Sequence, residues 1–215
     1  TAAAGFFILK TPTEAASPFW SPPEWDMVHR MRDAVMADPY ASALVDGVFE
    51  RSIFWVDRGR NGVKGTGKLC KARMDLYSAG HEAIIDLKSC VDASLSGFQR
   101  SVHDYEYFRQ PGWYLDGCES QDVKLPVKHF FFIAAEKQPP YHVKVYRLDN
   151  AHNWTREGRE IYQRDMDHYA VCHKHNIWPS YGERLAEKED GTTEILHGGI
   201  RDLDQPGYAK YHNIA

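Results

Sequence analysis

The sequence predicts one α/β domain in which amphipathic helices alternate with β-strands. Residues 22–37 carry apolar side chains at helical spacing, residues 48–57 alternate between two different faces, and residues 153–174 form a long amphipathic pattern. The chain of 215 residues shows no internal repeat and no linker. A chain of this length buries roughly 70% of its unfolded surface, so a core can form without disulfides or a metal.

The first half of the chain predicts one helix followed by a three-stranded meander. Ser21 and Glu24 form a capping box with proline in the first turn, and Pro39 ends the helix. The glycine-rich stretch 59–67 predicts a hairpin loop, and Gly80 lies in a tight turn. Because consecutive strands usually pair, a meander is expected from the strands at residues 48–57, 69–78 and 83–88.

The second half predicts helices around a buried β-hairpin. Ser94 can cap a helix that carries Phe98 and Val102, and Pro111 with Gly112 is expected to interrupt the helical pattern that follows. The remaining elements are strands at residues 128–136 and 142–149, the helix at residues 153–174, and a polar, partly irregular tail after Pro179.

Composition excludes several classes of protein. The apolar runs at residues 2–9 and 130–135 are too short to span a bilayer, and no signal peptide opens the sequence, so we expect a cytoplasmic protein with no membrane partner. The four cysteines contain no CxxC pair, which disfavours a zinc site, an iron–sulfur cluster and a disulfide framework. Since the chain begins at Thr1 rather than Met, we expect that a segment upstream has been removed.

The net charge of −4 argues against a protein coated with Lys and Arg, but the charge is unevenly distributed. Residues 58–73 carry +6 with no Asp or Glu, which leaves −10 on the rest of the chain. Such a segment can attract phosphate to one place. The candidate DNA-binding cations are Arg58, Arg60, Lys64, Lys68, Lys71 and Arg73.

Two carboxylates and one ammonium group are expected to converge on neighbouring strands. Asp86 and Lys88 are two residues apart and therefore leave the same face of their strand, and Asp75 has the same phase on the preceding strand. Close carboxylates repel unless a cation lies between them, and a hard divalent ion with oxygen ligands removes that conflict. The chemistry implied is metal-assisted phosphodiester hydrolysis, with a surface salt bridge as the simpler interpretation.

Six short motifs follow one another in the order of a known family. They are Glu50-x-Ser52-x-Phe54-Trp55, Cys70-Lys71-Ala72-Arg73-Met74-Asp75, Ile85-Asp86-Leu87-Lys88-Ser89, Gln110-x-x-x-Tyr114-x-Asp116-Gly117, residues 131–137, and Trp178-Pro179-x-Tyr181-Gly182. From about residue 49 to residue 181 the chain thereby resembles the exodeoxyribonuclease VIII type of phage and prophage recombination nucleases, in the PD-(D/E)XK superfamily.

This resemblance implies a restriction-endonuclease-like core, in which helices flank a mixed central β-sheet, within a single nuclease domain spanning residues 1–215. It implies Mg²⁺, with Mn²⁺ as a substitute, held by Asp75, Asp86 and the carbonyl group of Leu87. It makes Lys88 the catalytic lysine.

Three further residues acquire roles from the resemblance. Glu50 matches the family's acidic residue that supports a second metal or an outer-shell water. Gln110 matches the glutamine that orients the lysine or the phosphate, and Tyr114 matches a tyrosine close to DNA. Pro111 weakens the placement of Gln110, because it has no amide hydrogen and can kink a helix. The family's upstream metal-binding histidine has no counterpart here except His29, which is expected to be a surface residue.

The function implied by the resemblance is 5′→3′ hydrolysis of one strand from linear double-stranded DNA ends. The product is a 3′ overhang for a single-strand annealing protein, and the enzyme is a homo-oligomeric ring, with a tetramer favoured over a trimer. Two alternatives remain open: a structure-specific or restriction-like DNA endonuclease, and a catalytically impaired DNA-binding remnant of a prophage. For Tyr105, Tyr107 and Trp113, core packing is favoured over stacking on bases.

Overall fold

The computed structural model describes residues 21–60, 62–120 and 122–197. The chain divides into two compact units on either side of the bond between Met166 and Asp167. The first unit contains a five-stranded sheet with helices on both faces, and the second contains a two-stranded hairpin. The expected α/β fold with a mixed central sheet flanked by helices is thus confirmed, whereas the single nuclease domain stays a prediction.

The predicted elements occur in the predicted order with small changes at their ends, and the structure adds a short helix at residues 39–44 and short strands at residues 59–60, 63–64, 184–187 and 193–196. The helices are α1 (Pro22–Ala37), α2 (Pro39–Leu44), α3 (Leu95–Asp104), α4 (Arg109–Glu119) and α5 (Asn153–His175). The strands are β1 (Val48–Val56), β2 (Gly59–Arg60), β3 (Val63–Lys64), β4 (Leu69–Ser78), β5 (Ala83–Cys90), β6 (His129–Glu136), β7 (Val143–Arg147), β8 (Arg184–Glu187) and β9 (Thr193–Leu196).

The main sheet has the strand order β1-β4-β5-β6-β7. The predicted meander is confirmed, since β1 pairs antiparallel with β4, and β4 pairs antiparallel with β5. The strand β6 then pairs parallel with β5, and β7 pairs antiparallel with β6. A parallel pair needs a crossover connection, and α3 and α4 supply it between β5 and β6.

The sheet separates two hydrophobic cores in the first unit. One core, which includes Phe98, Leu115 and Phe132, lies on the side of α3, α4 and α5. The other core, which includes Met31 and Ile133, lies on the side of α1 and α2. Because β5 and β6 are covered on both faces, most residues along them are buried.

The strands β1 and β4 change faces near their midpoints. Phe49 and Leu76 pack into the core beside α1, whereas Ile53 and Met74 pack into the core beside α4. Side chains separated by an even number of residues would share one face in a regular strand. The change on β1 coincides with Glu50, whose φ of +52° is left-handed and unusual for a residue other than glycine.

The predicted interruption at Pro111 and Gly112 is wrong, because α4 runs through both residues. Pro111 is the third residue of the helix, where a backbone amide has no acceptor inside the helix and its loss is tolerated. Gly112 lies at a close contact between two helices, since a Cβ there would be 3.2 Å from both the Thr155 carbonyl oxygen and the Arg159 amide nitrogen of α5.

The second unit contains the last part of α5 and the hairpin β8–β9. The pairing of β8 with β9 runs from Arg184 with Leu196 to Glu187 with Thr193. The hairpin was not predicted from the sequence, the partly irregular tail stays a prediction, and residues 198–215 lie outside the described residues. No helix in the described part of the chain is both long and apolar enough to cross a membrane.

The contact between α5 and the start of α4 generates a stability prediction. A Cβ at Gly158 would lie 2.3 Å from the Phe108 carbonyl oxygen and 2.8 Å from Arg109 Cα, so the backbone of one helix must move. We expect Gly158→Ala to lower the free energy of unfolding by about 1–3 kcal/mol, measured by urea denaturation. Gly80→Ala is the control, because nothing lies within 4 Å of a Cβ there. An equal effect of the two substitutions would contradict the close contact.

Candidate active site

The candidate site lies where β4 and β5 stop pairing with each other. The pairing covers Ser78 to Leu76 on β4 and ends at the pair of Leu76 with Ile85. Continuing this register places Asp75 opposite Asp86. The Leu87 amide no longer meets a carbonyl of β4 and instead donates to Asp75 Oδ2 at 3.1 Å. The first carboxylate is therefore fixed by the backbone of the strand that carries the second.

Helix α4 covers the edge of β4 that β5 leaves exposed. Trp113 Nε1 donates to the Lys71 carbonyl oxygen, and Tyr114 Oη donates to the Arg73 carbonyl oxygen, both at 3.2 Å. From the same helix, Gln110 Nε2 donates to Asp86 Oδ1 at 3.4 Å. Side chains of one helix thus take the place of a neighbouring strand, and they bring the predicted Gln110 into contact with the predicted Asp86.

An ion pair fixes α4 against α5 on its other side. Arg159 on α5 binds both carboxylate oxygens of Asp116 on α4, with Nε and Nη2 contacts of 2.8 to 3.0 Å. Tyr162 donates a hydrogen bond to the same carboxylate, and Arg159 Nη2 also donates to Asn150 Oδ1 at 2.8 Å. These charged side chains are mostly buried. A bidentate pair of this kind fixes orientation as well as distance.

Burial raises the pKa values of both site carboxyl groups, and for Asp75 the charge of Asp86 adds to the increase. Loss of solvent is the largest cause for Asp75, followed by the charge of Asp86, and together they raise its pKa to about 7. Burial also raises the pKa of Asp86, against the lowering effects of Lys88 and Gln110. Raised pKa values of two neighbouring carboxyl groups mean that their charged forms are unfavourable in the folded protein. Such groups are typical of functional sites.

Lys88 is the cation that the structure places beside these carboxylates. Its Nζ lies 2.6 Å from Asp86 Oδ2, and its side chain is only 15% exposed. The same nitrogen lies 4.5 Å from the ring centre of Tyr107 and 5.8 Å from that of Phe132, which are cation–π distances. The ammonium group is therefore held between an acid and two aromatic rings rather than in water.

The arrangement fits a hard divalent cation. Asp86 Oδ2 is buried and accepts no hydrogen bond of regular geometry within the described residues, although Lys88 lies close to it. Two carboxylates against one ammonium leave a net negative charge, and oxygen ligands are the ones that Mg²⁺ and Mn²⁺ prefer. Asp75, Asp86 and the Leu87 carbonyl would hold the ion.

Glu50 completes a row of carboxylates but is paired with a cation. It lies between the pairs Phe49–Leu76 and Arg51–Met74 and therefore opposite Asp75. Its Oε2 is 2.6 Å from Arg73 Nε. Within the described ranges, no three His, Cys, Asp or Glu side chains are arranged to hold a metal together. The expected support of a second metal by Glu50 stays a prediction, and it would require this ion pair to open.

The basic segment is less available than its sequence charge suggests. Arg73 is bound to Glu50, and Arg58 Nη1 lies 2.5 Å from Asp122 Oδ2. The side chains of Lys64 and Lys71 are exposed, and Lys68 is partly buried. Tyr114 is half-buried and hydrogen-bonded to the backbone of β4, and burial raises its pKa to about 12. DNA binding by these residues stays a prediction.

Sequence reasoning missed the residues that position α4. Arg159 and Tyr162 lie more than 40 positions from Asp116. Trp113 packs against the core as expected, but its hydrogen bond to the edge of β4 was not predicted. Asp116 was the one sequence signal for its ion pair with Arg159. It belongs to the motif that begins at Gln110, but the sequence analysis assigned it no role. His29 packs edge-on against Trp25 of the same helix, with ring centres 4.8 Å apart.

Comparisons with known proteins agree with the observed fold. A family model described as "PDDEXK-like domain of unknown function (DUF3799)" matches residues 20–189. The crystal structure of a "Putative exonuclease" from Eubacterium rectale has a similar fold, with a TM-score of 0.56 and 16% sequence identity. The similarity covers 88% of this chain and only 65% of that one. No curated protein matches the chain.

The charge of the site generates a second stability prediction. In metal-free buffer at pH 8, Asp75→Asn removes one of two buried, repelling carboxylates but keeps an oxygen for the Leu87 amide. We expect it to raise the free energy of unfolding by roughly 1–3 kcal/mol. In wild-type protein Mn²⁺ should raise Tm, and in the variant this increase should be lost. Asp46→Asn, at an exposed position, is the control. A destabilised Asp75→Asn that still responds to Mn²⁺ would refute the assignment.

Proposed function

Because the chain belongs to the PDDEXK-like family, we propose that it is a nuclease that hydrolyses phosphodiester bonds of DNA with a divalent metal ion. The observation that carries this proposal is the cluster of Asp75, Asp86 and Lys88 at the end of the β4–β5 pairing. The raised pKa values show that keeping both acids charged costs stability. A bound metal ion would offset that cost, and the ammonium group beside the acids is placed to bind a phosphate.

Lys88 and Gln110 have different roles in the proposed reaction: Lys88 contacts the phosphate, and Gln110 positions Asp86. When bound, Mg²⁺ would polarise a phosphate oxygen and lower the pKa of a water molecule. Lys88 lies within 2.6 Å of the proposed ligand Asp86, so its ammonium group can donate to the phosphate as negative charge develops there. Gln110 holds the other oxygen of Asp86 in place, which keeps the carboxylate turned toward Lys88.

The finer proposal is a 5′→3′ exonuclease of the exodeoxyribonuclease VIII type, acting on linear double-stranded DNA ends. The order of the motifs from Glu50 to Gly182 supports it, as does the name of the Eubacterium rectale protein. We also propose the corresponding partners, a single-strand annealing protein and other copies of the chain in a ring. A tetramer is favoured and a trimer is the alternative.

A second candidate is a DNA-binding protein with impaired catalysis. The observation that favours it is the ion pair of Glu50 with Arg73, which leaves Asp75 and Asp86 as the only acidic side chains offered at the site within the described residues. Binding of DNA without metal-dependent hydrolysis would distinguish this candidate from the nuclease.

Substitution of Lys88 tests the proposed chemistry. We expect Lys88→Ala to reduce Mg²⁺-dependent release of nucleotides from linear duplex by at least about 100-fold, because the charge that stabilises the reacting phosphate is lost. Lys128→Ala is the matched control, since Lys128 is exposed and lies at the opposite end of the β5–β6 pair. Full activity in the Lys88 variant would refute the mechanism.

Blocked DNA ends test the finer proposal. Duplexes with phosphorothioate linkages at the 5′ ends should resist digestion, whereas duplexes blocked at the 3′ ends should be degraded at the rate of unblocked DNA. Covalently closed circles should remain intact, because an exonuclease requires an end. Gel analysis of end-labelled DNA gives the outcome. Cleavage of closed circles would instead identify an endonuclease.

A further inference from the structure

Two stacked tyrosines lead from the candidate site to the surface. The rings of Tyr105 and Tyr107 are 5.4 Å apart at an interplanar angle of 26°. Tyr107 packs against the core and has the Lys88 ammonium group 4.5 Å from its ring centre. Tyr105, by contrast, is 69% exposed. The expectation of core packing is therefore wrong for Tyr105, whose ring is mostly in solvent and stacks on Tyr107.

The turn that carries both tyrosines is held by its own backbone. The Tyr107 amide donates to the Val102 carbonyl at 2.9 Å, and the Gln110 amide donates to the Tyr107 carbonyl at 3.1 Å. Between the tyrosines, Glu106 has a left-handed φ of +53° and forms a 2.8 Å ion pair with Arg109. Arg109 also contacts Asp165 of α5 at 2.8 Å. A ligand on Tyr105 would therefore meet a ring that is already fixed in place.

The distances connect the exposed ring to the proposed reaction. With 4.5 Å from Lys88 Nζ to the Tyr107 ring centre and 5.4 Å between the ring centres, the Tyr105 ring lies at most about 10 Å from that nitrogen. This is roughly the length of three nucleotides along one strand of duplex DNA, at about 3.4 Å each. A strand with its phosphate at Lys88 can thus bring a nearby base to Tyr105.

We propose that Tyr105 is a stacking surface for an unpaired base within about three nucleotides of the phosphate that is cleaved. This inference rests on the proposed nuclease function and adds a substrate feature to it, namely a base that is not paired at the site. An aromatic side chain binds any base through its face. Inside a duplex that face is covered by the neighbouring base pairs, so Tyr105 selects an unpaired nucleotide rather than a sequence.

The test combines a change in the protein with a change in the DNA. The probes are 5′-phosphorylated single strands with phosphorothioate linkages that slow hydrolysis, carrying either 2-aminopurine or an abasic site at each of the first positions. The proteins are wild type, Tyr105→Ala, Tyr105→Phe, and the control Tyr40→Ala. Tyr40 is 76% exposed and lies on α2, which packs on the other face of the sheet. Kd and 2-aminopurine fluorescence are measured with Mn²⁺, and circular dichroism checks the fold.

In wild type and in Tyr105→Phe, one of the positions should show quenched fluorescence. Its abasic replacement should weaken binding by about 5- to 150-fold, the range expected for one stacked base. In Tyr105→Ala the quenching should disappear, and the abasic strand should bind within about twofold of the intact strand. The control Tyr40→Ala should behave as wild type.

The outcomes separate this inference from the function on which it rests. If wild type binds the strands but is indifferent to every abasic replacement, or if Tyr105→Ala keeps the full effect, the stacking surface is refuted and the nuclease proposal stands. If wild type binds none of the strands with Mn²⁺ and releases no nucleotides from duplex, the proposed function fails, and the inference fails with it. The inference would also be refuted if a second copy of the chain covers the Tyr105 ring. In that case Tyr105→Ala would change the oligomeric state and leave DNA binding unchanged.

Discussion

The separation of β4 from β5 after Leu76 and Ile85 is the constraint on which the candidate site depends. A strand that leaves its neighbour exposes backbone groups that must be satisfied by something else. Here the Leu87 amide is satisfied by the Asp75 carboxylate, and two carbonyl groups of β4 are satisfied by side chains of α4. The same hydrogen bonds that repair the sheet therefore bring an acid from each strand together.

Helix α4 links the sheet to the chemistry because it is fixed on two sides. Toward the sheet it contacts β4 and Asp86, and toward α5 it is held by the pair of Asp116 with Arg159. The close helix contact at Gly112 and Gly158 leaves no room for α4 to move closer to α5. This rigidity matters because buried, repelling carboxylates tend to move apart or become protonated unless their surroundings hold them. The fold thus maintains an unfavourable arrangement that a metal ion would make favourable.

Residue type alone failed to predict the structure where the position of a residue within its element decides its role. Pro111 is a helix breaker by its own chemistry, yet in the first turn of α4 its missing amide has no consequence. Tyr105 is apolar enough for a core, yet the turn between α3 and α4 leaves its ring in solvent. Glu50 lies in an alternating strand pattern, yet its backbone is left-handed, and the side chains of β1 before and after it pack on opposite faces of the sheet. In each case the outcome depends on where an element begins, turns or changes its backbone conformation, which the residue type alone does not fix.

The sequence by itself determined the order and type of the main elements, the meander, and the convergence of Asp75 with Asp86 and Lys88, because periodicity and short turns act between neighbours along the chain. Only the tertiary structure decided that β4 and β5 separate at this point, that Gln110 meets Asp86, and that Glu50 is paired with Arg73. The two side-chain contacts join residues 23 or more positions apart. The separation of the strands depends on where the hydrogen bonding between β4 and β5 ends. Packing of the whole sheet and its helices sets such distances, and no local pattern encodes them.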